Sequence, residues 1–131
     1  MKEFINTTEF DSSKRAFSHA IKVDVGNSEM IFITGQIAKD QGEIISKGDI
    51  EKQTEYVFER IIKILKEAGA TIDDLVKVNI YLVNMADFEK VSAIRNKYLK
   101  NSKPAATTVG ITATVAEGCD IEIEAIAVKK K

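Results

Sequence analysis

Two carboxylates spaced two apart, Glu122 and Glu124, interrupt the apolar run Ile121-Glu122-Ile123-Glu124-Ala125-Ile126-Ala127-Val128. In an extended strand such residues project from the same face, about 7 Å apart. Burial would raise the pKa of one of them towards a value that suits acid–base work. Carboxylates on an outward strand face are commonly just solvated. Here the same face carries Ile126 and Val128, which favours catalysis or ligand binding by Glu124, with Glu122 as the structural member of the pair. Thr107 and Thr108 could donate hydrogen bonds to a ligand or simply satisfy strand propensity, and the sequence leaves both readings open. Gly35 suits a close backbone approach at a strand end, which fits both a cleft and a bulge. His19 is the one imidazole and follows a serine in a loop-like segment, which reads as a surface or turn residue. Cys119 is the one cysteine, a hundred residues from that histidine, and reads as a small apolar filler.

Composition excludes several classes of function. With one cysteine there is no internal disulfide, and a thiolate zinc site is implausible. Nineteen basic and twenty acidic residues leave a formal charge of −1, so no global field draws nucleic acid or an anionic membrane. The basic run Lys129-Lys130-Lys131 reads as a solvated tail. No apolar run approaches the ~18 residues of a membrane span. A chain of 131 residues is expected to form a single domain over residues 1–131, soluble and cytoplasmic.

Local patterning supplies the elements that would position these groups. Ile21 to Val25 and Met30 to Thr34 form a hairpin across Gly26-Asn27-Ser28, with Gly35 ending the second strand and Gln41-Gly42-Glu43 marking a further turn. Asp49 caps a helix whose inward face is Ile50, Thr54, Val57, Phe58, Ile61, Ile62, Leu65 and Ala68, and Gly69 stops it. Val76, Val78, Ile80 and Leu82 alternate as a half-buried strand. Asn84 with Asp87 opens a second helix that presents Phe88, Val91, Ile94, Tyr98 and Leu99 inward and ends before Pro104. Strands Ala106 to Thr112 and Ile121 to Val128 close the chain. This order gives an α+β sandwich with two helices on one face of a mixed sheet. The other sheet face is partly apolar, and a second copy of the chain is the simplest partner for it.

Four stretches, in order and spanning about Phe17 to Lys129, resemble the RidA/YjgF family of imine and enamine deaminases. They are Arg15-Ala16-Phe17-Ser18-His19-Ala20, Ile33-Thr34-Gly35-Gln36-Ile37, Lys77-Val78-Asn79-Ile80-Tyr81-Leu82 with Asp87-Phe88, and Pro104-Ala105 with the Glu122/Glu124 run. The resemblance implies a chorismate-mutase-like α+β fold with a six-stranded mixed sheet. It also implies a homotrimer binding a small molecule in inter-subunit clefts, with no metal and no organic cofactor. By the same resemblance, Phe17, Gly35, Phe88, Ala106, Thr107 and Thr108 line the cleft, and Glu124 works on water.

One departure bears on substrate choice. Active family members have an arginine, which grips the substrate carboxylate, where this chain has Ala106. Losing such a charge-assisted bond costs about 2–5 kcal/mol, or roughly 30- to several-thousand-fold in recognition. Phe17 stands where many members have tyrosine, and Thr108 where many have cysteine. The resemblance thus implies a hydrolase with altered substrate choice and weak or no activity on the usual 2-imino acids. The alternative is a non-catalytic trimer that binds a metabolite or a protein. Arg15, Arg95 and Lys103 are near enough in sequence to supply another cation.

Overall fold

A computed structural model describes residues 1–10 and 16–131, so Arg15 lies outside the described residues. The six-stranded sheet has the order β1-β2-β3-β8-β6-β7. It is built from β1 (Lys2–Ile5), β2 (Ala20–Val25), β3 (Ser28–Ile37), β6 (Leu75–Leu82), β7 (Ala105–Gly110) and β8 (Ile121–Lys130). All neighbours are antiparallel except β6 and β7, which run parallel around the helix α2 (Phe88–Tyr98). A two-residue turn at Gln41-Gly42 joins the short strands β4 (Lys39–Asp40) and β5 (Glu43–Ile44). Both turn residues are left-handed, with φ of 50° and 79°.

The helix α1 (Ile50–Glu67) forms where the pattern places it. Asp49 accepts a hydrogen bond from the Lys52 N–H at its start, and Gly69 takes φ 80° past its end. Its buried stripe is Ile50, Gln53, Thr54, Val57, Phe58, Ile61, Ile64 and Leu65. Ile64 replaces the expected Ile62, and the polar Gln53 is fully buried. The helix packs on the sheet face of Ile31, Ile33, Val78, Ile80, Ile121 and Ile123, all within one core.

The second helix starts later than its signal. Asn84 caps a single 3-10 turn, Met85–Asp87, by accepting from the Ala86 N–H, and Asp87 makes no side-chain cap to α2. Val91 and Leu99 are buried, and Phe88, Ile94 and Tyr98 pack against the core from its margin.

Three further expectations change. β3 does not end at Gly35 but runs through it, with a shift of register against β8 between Ile33 and Gln36. A second shift between Leu75 and Lys77 turns Val76 outward and puts Leu75 in the core. The lysine run is no solvated tail: β8 continues through Lys130, Lys129 Nζ donates to the Gly69 carbonyl, and Lys131 pairs with Asp24 at 3.3 Å.

Among the described residues, nothing covers the sheet face away from the helices. Register places Phe4, Ile21, Val23, Met30, Phe32, Ile126 and Val128 on its β1–β8 half. Lys77, Asn79, Tyr81, Glu122 and Glu124 occupy its β8–β6 half.

Candidate active site

The alternation of β8 fixes the two carboxylates. Ile121, Ile123, Ala125 and Ala127 are buried against the helices, so Glu122 and Glu124 stand on the open face, as the sequence predicts. Their environments differ. Glu124 Oε1 accepts from the Tyr81 hydroxyl at 2.6 Å and from Asn79 Nδ2 at 3.1 Å, both on β6. Register opposes Asn79 to Glu124 and Tyr81 to Glu122, which delivers both donors to one oxygen. The same bond holds the Tyr81 hydroxyl above its ordinary pKa, because its proton is shared with a carboxylate.

Glu122 has no such donors. Burial, and next the negative charge of Glu124, push its carboxyl above the ordinary glutamate range. Its carboxylate lies over Gly35, where an added Cβ would collide with it. The bulge in β3 and the missing side chain at Gly35 together make room for that carboxylate. Beside the pair, Phe32, Ile33, Lys77, Asn79, Ile126 and Glu124 itself line a groove of about 190 Å³. That is smaller than the ~300–1,000 Å³ of a typical small-molecule site.

The other expected cleft residues divide between the two faces. Thr107, paired with Asn79, shares the open face, and its hydroxyl accepts from Lys77 Nζ at 3.0 Å. Ala106 and Thr108 pair with Val78 and Ile80, whose side chains are in the core, so both face the helix side. Phe88 opens α2 on that side, with the Arg95 guanidinium 6.0 Å from its ring centre. Phe17 is half exposed just before β2. A single chain therefore brings Gly35, Thr107 and Glu124 to one face and keeps Ala106, Thr108 and Phe88 on the other.

Ala106 borders a different cavity. This pocket, about 440 Å³, is lined by Arg95, Leu99, Lys100, Lys103 and Pro104, with Asn96 at its rim. Two of the cations flagged near Ala106 in sequence, Arg95 and Lys103, are thus beside it.

His19 is not a surface residue. It is buried at 4% exposure, its Nδ1 accepts the Thr7 N–H, and its ring lies 4.8 Å from that of Phe10. It ties the segment after the first strand to the start of the second, and its carbonyl accepts from the Thr34 N–H. Cys119 is buried as expected, and burial pushes its thiol up, away from a reactive thiolate.

Sequence reasoning missed Gln53, Tyr81, Asn79 and Lys100. Gln53 donates to the carbonyls of Ile45 and Gly118 and accepts from the Asp120 N–H, pinning the start of β8 to α1. A lone glutamine on the apolar stripe of a helix was the available signal. Tyr81 and Asn79 were legible as the outward residues of a strand, but their partner was set only by register.

An α+β sheet with an unequal carboxylate pair on its open face defines a fold class and a candidate site but no single activity. Comparison with known proteins narrows it. The sequence family described as Endoribonuclease L-PSP matches residues 8–129. A RutC family protein of Pyrococcus abyssi is 44% identical over 98% of both chains. The 2-iminobutanoate/2-iminopropanoate deaminase of Mus musculus is 31% identical, over 98% of this chain and 93% of its own. The crystal structure of a putative endoribonuclease from Thermotoga maritima superposes with a TM-score of 0.87 at 36% identity, covering both chains completely. The chain belongs to the RidA/YjgF family.

Proposed function

We propose that this protein is a homotrimeric hydrolase of imine or enamine metabolites, working through the Glu122/Glu124 pair and water. The observation that carries this reading is the unequal pair itself. One carboxylate is pinned by two donors, and its neighbour is raised in pKa over a bare glycine. Glu124, expected from sequence to act on water, stays in the site as the anchored charge that tunes Glu122. Glu122 takes a proton from the attacking water and gives it to the imine nitrogen, then takes the hydroxyl proton of the resulting carbinolamine and gives it to the nitrogen as the C–N bond breaks, releasing ammonia and a carbonyl compound. The deaminase activity named for the mouse relative is the same class of reaction.

Two observations support the trimer in this reading. The groove beside Glu124 is too small to enclose a substrate, and the expected cleft residues lie on opposite faces of one sheet. A cleft between copies resolves both, and it would cover the exposed apolar side chains of Phe32 and Val109. Action on RNA fits poorly, because the open face presents two carboxylates where phosphates would have to approach.

With Ala106 in place of the carboxylate-binding arginine, turnover of 2-imino acids is weak. The test is hydrolysis of freshly generated 2-iminobutanoate by the wild type and by Ala106→Arg. The expected result is slow turnover in the first and a gain of about tenfold or more in the second. Silence in both would replace the hydrolase by a metabolite-binding trimer.

A further inference from the structure

We infer that the groove beside Glu124 seats the iminium cation of a short aliphatic imine that carries no carboxylate. For turnover this rests on the proposed hydrolase; for binding it does not.

The sign of the ligand follows from the charges that share the open face. Register places Lys2, Lys77, Glu122, Glu124 and Lys130 there. Lys130 lies at the end of β8, about 20 Å along the strand from Glu124. Lys2 lies on the far edge strand, β1. Lys77 alone is near, and its Nζ is held by the Thr107 hydroxyl at 3.0 Å. No ion pair joins it to either glutamate among the described residues. Two carboxylates facing one tethered ammonium favour a cation and repel a further carboxylate.

The atoms of Glu124 give that cation a place. Its Oε1 is taken by Tyr81 and Asn79, while Oε2 accepts from no described residue. A planar C=NH₂⁺ group can donate to Oε2 in a charge-assisted bond, a geometry that the two strand donors hold fixed.

The rest of the lining decides what the imine carbon carries. Phe32 and Ile126 stand beside Glu124 on the same face, paired in register across β3 and β8. Phe32 is 41% exposed and so has apolar surface left for a hydrocarbon chain to cover. At about 190 Å³ the groove suits a short chain and forms one wall of the cleft proposed between copies. Hydrolysis there balances without a co-reactant. The oxygen of water goes to the iminium carbon, both of its protons pass to nitrogen, and an aldehyde or ketone leaves with ammonium.

The experiment is an NMR and calorimetric titration of the full chain with butanamidinium, a planar cation of the iminium's shape. Neutral butanamide and anionic butanoate share that shape and serve as the charge controls. Saturable binding of butanamidinium is expected, with amide shifts at Asn79, Glu124 and Ile126, and with both controls weaker by about tenfold or more. Shortening the chain to propanamidinium should weaken Kd roughly fourfold. Glu124→Gln can still accept from Tyr81 and Asn79, and should weaken butanamidinium about tenfold or more at unchanged Tm. No binding, butanoate binding as tightly, no effect of chain length, or equal affinity in Glu124→Gln would each overturn the inference. Failure of the hydrolase reading is separable. Glu124-dependent binding of butanamidinium with no turnover of 2-iminobutanoate, even by Ala106→Arg, sinks only the hydrolase. Turnover without Glu124-dependent binding sinks only the cation seat.

Discussion

At the scale of single residues, the site depends on two glutamates whose surroundings differ while their spacing is regular. Because the Glu122 carboxyl is raised first by burial and then by the charge of Glu124, its protonated form is favoured in the native state. Between the ordinary glutamate value, about 4.3, and the raised one, the folded chain binds more protons than the unfolded chain. This group's contribution to stability therefore falls as pH rises through that window. The same shift predicts that kcat/KM climbs with pH to a plateau whose limb lies above the ordinary glutamate range. In Glu124→Gln that limb should move to lower pH, because a neighbouring negative charge is gone; a pH–rate profile reads it directly. A limb that stays put would mean the two carboxylates do not interact. Gly35→Ala gives a second check at this scale. Gly35 is not left-handed, and the atom in the way is the end of a flexible side chain. The variant should lose less than about 1 kcal/mol of stability, yet lose activity because the Glu122 carboxylate must swing aside; thermal melts beside turnover separate the two effects.

Elements set that geometry, and here α1 and β8 matter most. Gln53 joins them through three hydrogen bonds to backbone groups, two of which belong to Gly118 and Asp120 just before β8. Gln53→Leu would leave those groups unpaired and should cost about 2–4 kcal/mol in chemical denaturation. Asp49→Ala, which removes only an exposed N-cap, should cost about 1 kcal/mol. Equal costs would mean that Gln53 is no clamp. These two residues also show what was legible beforehand. Asp49, the stripe of α1, Gly69 and the alternation of β8 are local patterns, and each gave its element within a residue or two. Gln53 reads as an interruption of a stripe until loops 65 residues away fold back onto it. The bulge at Gly35 was legible as one of two readings of that glycine, but the one near Val76 was not, since a bulge is a mismatch between two strands and neither carries it alone. His19 was misread because its partners, Asn6, Thr7 and Phe10, lie in a segment after β1 with no pattern of its own. The carboxylates were legible as a pair, but the difference in their surroundings came from Tyr81, Asn79 and Gly35, which meet only in the folded sheet.

For the whole molecule, an open sheet face and two exposed edge strands, β1 and β7, predict association. Light scattering should give three chains of 14.5 kDa each. Charging the apolar half of the open face with Phe32→Glu should break that assembly and activity together, while a monomer in the wild type would remove the shared cleft from the account. The central claim is the carboxylate chemistry, and it is tested most directly by release of ammonia and 2-oxobutanoate from freshly generated 2-iminobutanoate. The comparison is between Ala106→Arg and Ala106→Arg combined with Glu122→Gln. The account predicts catalysis by the first and a loss of about 10²- to 10⁴-fold in the second. Equal rates in the two, or none above spontaneous hydrolysis in either, would contradict it.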